Sequence, residues 1–106
     1  MNTIHDLISL KGKTALLTGA CGGMGRMISF LLAELGCDLF LLDKHSENLS
    51  SLKDEIYKEF AIDIECLNCD LESTSNRDQA ISRVKRKGRL DILINKITEQ
   101  PQNSPV

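Results

Sequence analysis

The sequence has few of the features that membrane, secreted or nucleic-acid-binding proteins require. No apolar run approaches the ~20 residues that a membrane-spanning helix needs. The N-terminal segment MNTIHDLISLKGK lacks the basic start and apolar centre of a secretory signal. The formal net charge is only −2, which gives no reason to expect a polyanionic partner. We therefore expect a cytoplasmic protein that binds neither membranes nor nucleic acid.

Cysteine is present, but in no metal-binding pattern. The four cysteines include one C-x-x-C pair, Cys66 and Cys69, in the strand-like stretch DIECLNCD. Redox-active C-x-x-C pairs begin helices, and a zinc site needs a second Cys or His pair, which is missing. We expect no metal site and interpret the cysteines as reduced, mostly buried thiols.

One basic run, RVKRKGR at residues 83–89, has five cations in seven positions. It has two interpretations: a nucleic-acid patch, or a solvated helix C-terminus whose cations complement the helix dipole. The acidic balance of the chain favours the second.

The apolar pattern alternates between short buried runs and helical stripes. Strand-like runs occupy residues 13–19, 38–43, 63–70 and 90–95, and the segments between them repeat apolar residues at helical spacing. This alternation predicts an α/β fold in which a parallel sheet of four strands has helices on both faces. Right-handed crossovers favour the strand order 3-2-1-4, with the carboxyl ends of strands one and four side by side.

The ends and faces of the helices are also predicted. The third helix begins with a capping box of Ser75 and Asp78 and ends at Gly88, and Ser46 and Asn48 are capping candidates for the second. Residues 97–106 are polar, hold both prolines and are expected to form a disordered tail. The apolar face of the first helix is predicted to consist of Met24, Met27, Ile28, Leu31, Leu32 and Leu35.

Three glycines follow the first strand, and each has its own physical use. Gly19 permits the tight turn out of the sheet, Gly23 leaves room for a pyrophosphate, and Gly25 lets the helix lie close to the strand. The N-terminus of that helix offers N–H groups and partial positive charge to the phosphates. The arrangement predicts dinucleotide binding.

Two carboxylates end the neighbouring strands. Asp43, eighteen residues after Gly25, can accept hydrogen bonds from both hydroxyls of the adenine ribose. It would repel a 2′-phosphate, so NAD is the expected cofactor and NADP is less favoured, although Lys44 beside it would tolerate the phosphate if it turned inward. Asp70 has two interpretations, an acceptor for the adenine amino group or a local cap for the next turn.

These residues together resemble the short-chain dehydrogenase/reductase family, which has a Rossmann-like three-layer fold. Residues 18–25 (TGACGGMG) match its T-G-x-x-x-G-x-G cofactor motif, and LLDKH, CDLES and LDILIN are similar to its ribose, adenine and fourth-strand segments. The resemblance runs from about residue 11 to residue 95. It implies that the cofactor is held by Gly19, Cys21, Gly22, Gly23, Met24, Gly25, Asp43, Asp70, Leu71 and Asn95.

The resemblance stops at Asn95, where Lys96 and Ile97 replace the family's N-N-A-G continuation. The family's catalytic Ser and Tyr-x-x-x-Lys have no counterpart, because the only tyrosine, Tyr57, is followed four residues later by Ala61. We expect residues 1–96 to form a partial Rossmann domain, the truncated N-terminal NAD(P)-binding portion of an oxidoreductase, without catalytic residues and inactive alone. The alternative is a non-catalytic nucleotide-binding or interaction module.

The fourth strand would then lack the neighbour that a full sheet provides. Its sequence, ILIN, is apolar and β-prone. An uncovered strand of this kind pairs with other chains, so we expect self-association through its outer edge.

Overall fold

The computed structural model describes residues 9–70 and 72–95, in which strands and helices alternate. The predicted tail and the predicted site residue Leu71 lie outside these ranges. The strands are β1 (Thr14–Thr18), β2 (Asp38–Asp43), β3 (Ile64–Asn68) and β4 (Ile92–Asn95), and the helices are α1 (Gly23–Glu34), α2 (Ser46–Tyr57) and α3 (Thr74–Lys87).

The four strands form one parallel sheet in the order β3-β2-β1-β4. At the carboxyl end of β1, Thr18 lies opposite Leu42 of β2 on one side and Asn95 of β4 on the other. Asp43, the last residue of β2, lies opposite Asn68 of β3. The predicted α/β class and strand order are confirmed, and the polar ends of the strands meet at one edge of the sheet.

Helices cover both faces of the sheet, as predicted. Successive residues of a strand point to opposite faces, so each strand contributes side chains to two separate cores. The larger core joins α1 and α2 to Ala15, Leu17, Leu39 and Leu41. The smaller core joins α3 to Leu16, Phe40, Leu42 and Leu67. Only Ala80 of α3 is buried, so the second face is thinly covered.

The buried face of α1 agrees with the predicted one only in part: Leu32 is buried and Ile28 packs against the larger core, as predicted. The helix buries Gly25, Ser29, Leu32 and Ala33, whereas Met24, Met27 and Leu31 are each more than half exposed. Small side chains let the helix axis approach the strands, and the Ser29 hydroxyl donates to the Gly25 carbonyl at 2.8 Å. Close approach, as well as hydrophobicity, therefore selects the buried face.

The caps of two helices were also predicted wrongly. The residue before α3 is Ser73, whose Oγ accepts from the Asn76 N–H at 3.2 Å, so Ser75 lies inside the helix. No side chain caps α2, which follows His45. The prediction for the other end of α3 was right, because Gly88 ends it at φ +84°, where a glycine is favoured.

The basic run is tied to acidic groups of the sheet and its loops, which supports its interpretation as a helix C-terminus. Three of its cations have carboxylate partners within the described part of the chain. Arg83 pairs with Glu65, Lys87 Nζ lies 3.9 Å from both Asp38 and Asp63, and Arg89 Nε donates to Asp91 at 2.8 Å. Within the same ranges, no helix is long and apolar enough to cross a bilayer.

All four cysteines are free thiols. Burial raises the pKa of Cys21 and Cys37 from the ordinary 9.0 to about 11, and it also raises the pKa of Cys66 and Cys69. No three His, Cys, Asp or Glu side chains among the described residues lie close enough to hold a metal ion.

These thiols predict a loss of stability in alkali. A pKa raised on folding means that the folded state holds its protons more tightly, so the stabilisation is complete below pH 9 and is lost as the pH rises towards 11. We expect the urea midpoint to fall over this interval. Cys37→Ala should be less stable at pH 7 but show a shallower fall, and equal slopes for the two proteins would contradict the assignment.

Candidate functional site

A glycine loop joins β1 to α1 at the carboxyl edge of the sheet. Gly19 directly follows β1 and has φ +65°, a backbone conformation that residues other than glycine rarely adopt. The loop is held by the Gly22 N–H, which donates to the Gly19 carbonyl at 3.3 Å, and by the Ala20 N–H, which donates to the Leu42 carbonyl at 3.1 Å. The turn is therefore anchored to both β1 and β2.

Gly23 and Gly25 face different surroundings. A Cβ built on Gly25 would lie 2.2 Å from the Gly19 carbonyl oxygen and 2.9 Å from that of Ala20. A Cβ on Gly23 would meet no atom within 4 Å. Gly25 thus permits the contact of helix and loop, whereas the space at Gly23 is open to an approaching group.

The N-terminus of α1 lacks a side chain that accepts hydrogen bonds from its N–H groups. No side chain caps it, and its first turn holds no acidic residue. The first N–H groups of any α-helix lack intrahelical partners and carry partial positive charge. The loop therefore presents donors suited to an anion, beside the open space at Gly23.

Asp43 ends β2 beside this loop and is only 9% exposed. Its Oδ2 accepts from the Cys21 N–H at 3.0 Å, and its Oδ1 accepts from the His45 N–H at 3.1 Å. The carboxylate is therefore fixed towards the glycine loop. Each carboxylate oxygen has a second lone pair, so both can still accept from a ligand.

Sequence reasoning missed the backbone donors that hold Asp43. The N–H groups of Cys21 and His45 carry no residue-type signal, although the two-residue step from Asp43 to His45 is typical of Asx turns. The half-buried Cys21 thiol lies beside the same carboxylate. Burial, then the Asp43 charge, raises the Cys21 pKa to about 11, so this thiol is neutral at pH 7.

Thr18 and Asn95 are the last residues of β1 and β4. The Thr18 hydroxyl donates to Asn95 Oδ1 at 2.8 Å, which ties the ends of β1 and β4 together. Thr18 was not singled out as a site residue, although it opens the glycine motif. Asn95 lies at the same carboxyl edge as Asp43, on the other side of β1.

Asp70 forms a local cap. Its Oδ1 accepts from the Glu72 N–H at 3.0 Å, and its own N–H donates to Asn76 Oδ1 at 3.0 Å. The side chain is exposed. This is the second of the two interpretations of Asp70, and contact with adenine stays a prediction.

Comparison with known proteins agrees with this architecture. The profile of the short chain dehydrogenase family matches residues 13–103. The chain belongs to this family. It is 34% identical over 88 residues to the 3-oxoacyl-(acyl-carrier-protein) reductase FabG of Rickettsia felis. The matched segment covers 83% of this chain and 34% of the reductase.

Solved structures of family members share the fold. The NADPH-dependent 3-quinuclidinone reductase of Rhodotorula rubra matches with a TM-score of 0.75 at 32% identity, over 88% of this chain and 35% of that one. An NAD⁺-bound xylitol dehydrogenase matches with a TM-score of 0.80 at 29% identity, over 86% of this chain and 35% of the dehydrogenase. The chain thus spans about a third of the length of these relatives.

Most of the predicted site residues of this family member converge. The glycine loop with Cys21 and Met24, the Asp43 carboxylate and Asn95 all lie at the carboxyl edge of the sheet. In open α/β sheets ligands bind at this edge, where the strand order reverses. Their cofactor contacts remain predictions.

Proposed function

We propose that the chain binds the adenosine-diphosphate half of a nicotinamide dinucleotide. The observation that carries the proposal is the fixed Asp43 carboxylate facing the uncapped N-terminus of α1. The pyrophosphate would lie against Gly23 and the first-turn N–H groups, and the ribose hydroxyls would donate to Asp43. In the family's chemistry the dinucleotide would carry the hydride, donating it when reduced and accepting it when oxidised, while this chain binds and orients its adenosine half.

We propose a preference for NAD over NADP. Relatives include both an NAD⁺-bound and an NADPH-dependent enzyme, so family membership does not decide between them. Asp43 is nearly buried, where charges interact more strongly than in water. A 2′-phosphate would add like charge beside this carboxylate, whereas Lys44 is exposed. We expect NADP to bind at least about tenfold more weakly than NAD.

We propose that the 106-residue chain does not transfer hydride by itself. A carbonyl substrate needs a proton donor beside the nicotinamide. The only tyrosine, Tyr57, instead accepts from the Ile64 N–H at 3.2 Å and donates to the Ile64 carbonyl at 3.5 Å. Ile64 begins β3, so Tyr57 lies at the end of the sheet away from the glycine loop.

Calorimetry with NAD, ADP-ribose and NADP tests the proposal. If the site holds the adenosine half, NAD and ADP-ribose should bind with affinities within about threefold of each other, because the nicotinamide adds little. NADP should bind more weakly. Absence of heat with both NAD and ADP-ribose would reject the site, and a clear preference for NAD over ADP-ribose would show that the nicotinamide half is held too.

We also propose that the chain self-associates through the outer edge of β4. Leu93 at the centre of this strand is 63% exposed. Within residues 9–70 and 72–95, no strand pairs with that edge. Exposed apolar strand edges recruit further strands.

A further inference from the structure

The connection between β3 and α3 is tied to β2 where it begins. The Cys69 N–H donates to the Asp43 carbonyl at 2.9 Å, and Asn68 Nδ2 donates to the same oxygen at 3.4 Å. Asp43 is the residue proposed to bind the ribose. Because neighbouring strands lie about 4.8 Å apart, Asp70, which follows Cys69, is held one strand away from the proposed ribose position.

The same connection is tied to α3 by one side chain. Asn76 lies in the first turn of α3, and its Oδ1 accepts from the Asp70 N–H at 3.0 Å. Its Nδ2 donates to Ser73 Oγ at 3.3 Å, and the Ser73 N–H donates to the Asp70 carbonyl at 2.9 Å. Asn76 therefore joins Asp70 to the start of the helix and fixes its backbone.

The Asp70 carboxylate keeps one oxygen for a ligand. Its Oδ1 accepts from the Glu72 N–H at 3.0 Å, which orients the group. The side chain is exposed, and Oδ2 is directed away from the Glu72 N–H. An ionised carboxylate only accepts hydrogen bonds. Held in this way, Asp70 favours a ligand group that donates over one that accepts.

We infer that Asn76 is a positioning residue for recognition of the base, because it holds Asp70 where Oδ2 accepts from the amino group of adenine. The order of the strands supports this placement. The proposed pyrophosphate position follows β1, the proposed ribose position follows β2, and β3 is the next strand in the sheet. A base attached to that ribose would extend towards Asp70. The inference rests on the proposed function and adds the residue that sets its base specificity.

Calorimetry with NAD and nicotinamide hypoxanthine dinucleotide tests the inference. Hypoxanthine has a carbonyl where adenine has its amino group, and the two ligands share their riboses and pyrophosphate. The native chain should bind NAD at least about fivefold more tightly, because a hydrogen bond to a charged group is lost with hypoxanthine.

Asn76→Ala should reduce this preference to within about twofold of none. The Asp70 N–H loses its acceptor, so the carboxylate is no longer held towards the base. A merely structural role would weaken both dinucleotides by the same factor and leave their ratio unchanged. The ratio of the two affinities therefore separates positioning from stability, and circular dichroism checks that each variant is folded.

Three further variants complete the test. Asn76→Asp keeps an oxygen for the Asp70 N–H and should keep the native ratio. Gln79→Ala is the matched control, because Gln79 is exposed on the same helix and lines the same groove as Asn76. It should keep both affinities. Asp70→Asn should reverse the preference, because its oxygen still accepts from the Glu72 N–H and its NH₂ group then donates to the hypoxanthine carbonyl.

The results separate this inference from the proposed function. A native chain that binds both dinucleotides equally would overturn the inference and leave the nucleotide site in place. A native ratio in Asn76→Ala would also overturn it, and so would a native ratio in Asp70→Asn. Absence of heat with either dinucleotide would reject the nucleotide site and the inference together.

Discussion

Gly25→Ala is expected to destabilise the folded chain strongly. The new methyl would lie 2.2 Å from the Gly19 carbonyl oxygen and 2.9 Å from that of Ala20. Both are backbone atoms, so no side chain can rotate away. Overpacking a core costs about 1–3 kcal/mol and sometimes more, and here the Gly19 turn must shift as well. We expect a loss of at least about 3 kcal/mol from a total of about 5–15 kcal/mol, measured by urea unfolding.

Gly23→Ala is the matched control, because its methyl meets no atom within 4 Å. Its unfolding free energy should stay within about 0.5 kcal/mol of the native value. Its affinity for ADP-ribose should nevertheless fall about tenfold, because the methyl occupies the space proposed for the pyrophosphate. A stable Gly25→Ala protein, or a Gly23→Ala protein with native affinity, would contradict these assignments.

The strand order followed from sequence because its causes are local. Each buried run is followed by a helical stripe, and the right-handed crossover rule then permits few arrangements of four parallel strands. Gly25 could be assigned to close packing from its place in the motif, and the structure agrees, because a Cβ added there would lie only 2.2 Å from the Gly19 carbonyl oxygen. Spacing along the chain was enough for these features.

The face of α1 could not be obtained in the same way. Met24, Met27 and Leu31 have the helical spacing of a core face, yet they are exposed, whereas Ser29 and Ala33 are buried beside the correctly predicted Leu32. The distance between helix and sheet decides this, and it is set by the tight contact at Gly25. Hydrophobic periodicity contains no information about that distance.

For the candidate site, likewise, the sequence predicts which side chains take part but not how they are oriented. Asp43 could be found from its position at the end of β2, but the orientation of its carboxylate depends on the N–H groups of Cys21 and His45. Backbone donors belong to every residue except proline. Which of them point at a given carboxylate is decided by the fold.

Asp43→Asn is expected to remove the discrimination between NAD and NADP. The amide has nearly the same shape but only one acceptor oxygen, so its NH₂ group must face either the Cys21 N–H or the His45 N–H. The unmatched donor should cost about 1–3 kcal/mol of stability. Affinity for NAD should fall at least about tenfold, because one acceptor for the ribose diol is lost and charge-assisted hydrogen bonds are stronger than neutral ones.

The ratio of the two affinities separates a change at the site from a loss of stability. Partial unfolding would weaken NAD and NADP by the same factor, whereas loss of the Asp43 charge relieves the repulsion of a 2′-phosphate only. The ratio should therefore move towards one when both ligands are measured by calorimetry on the folded variant. Asp70→Asn is the matched control, because its amide oxygen can still accept from the Glu72 N–H. This control should keep the native ratio even if Asp70 contacts adenine, which both ligands share. A native ratio in Asp43→Asn would remove Asp43 from the site.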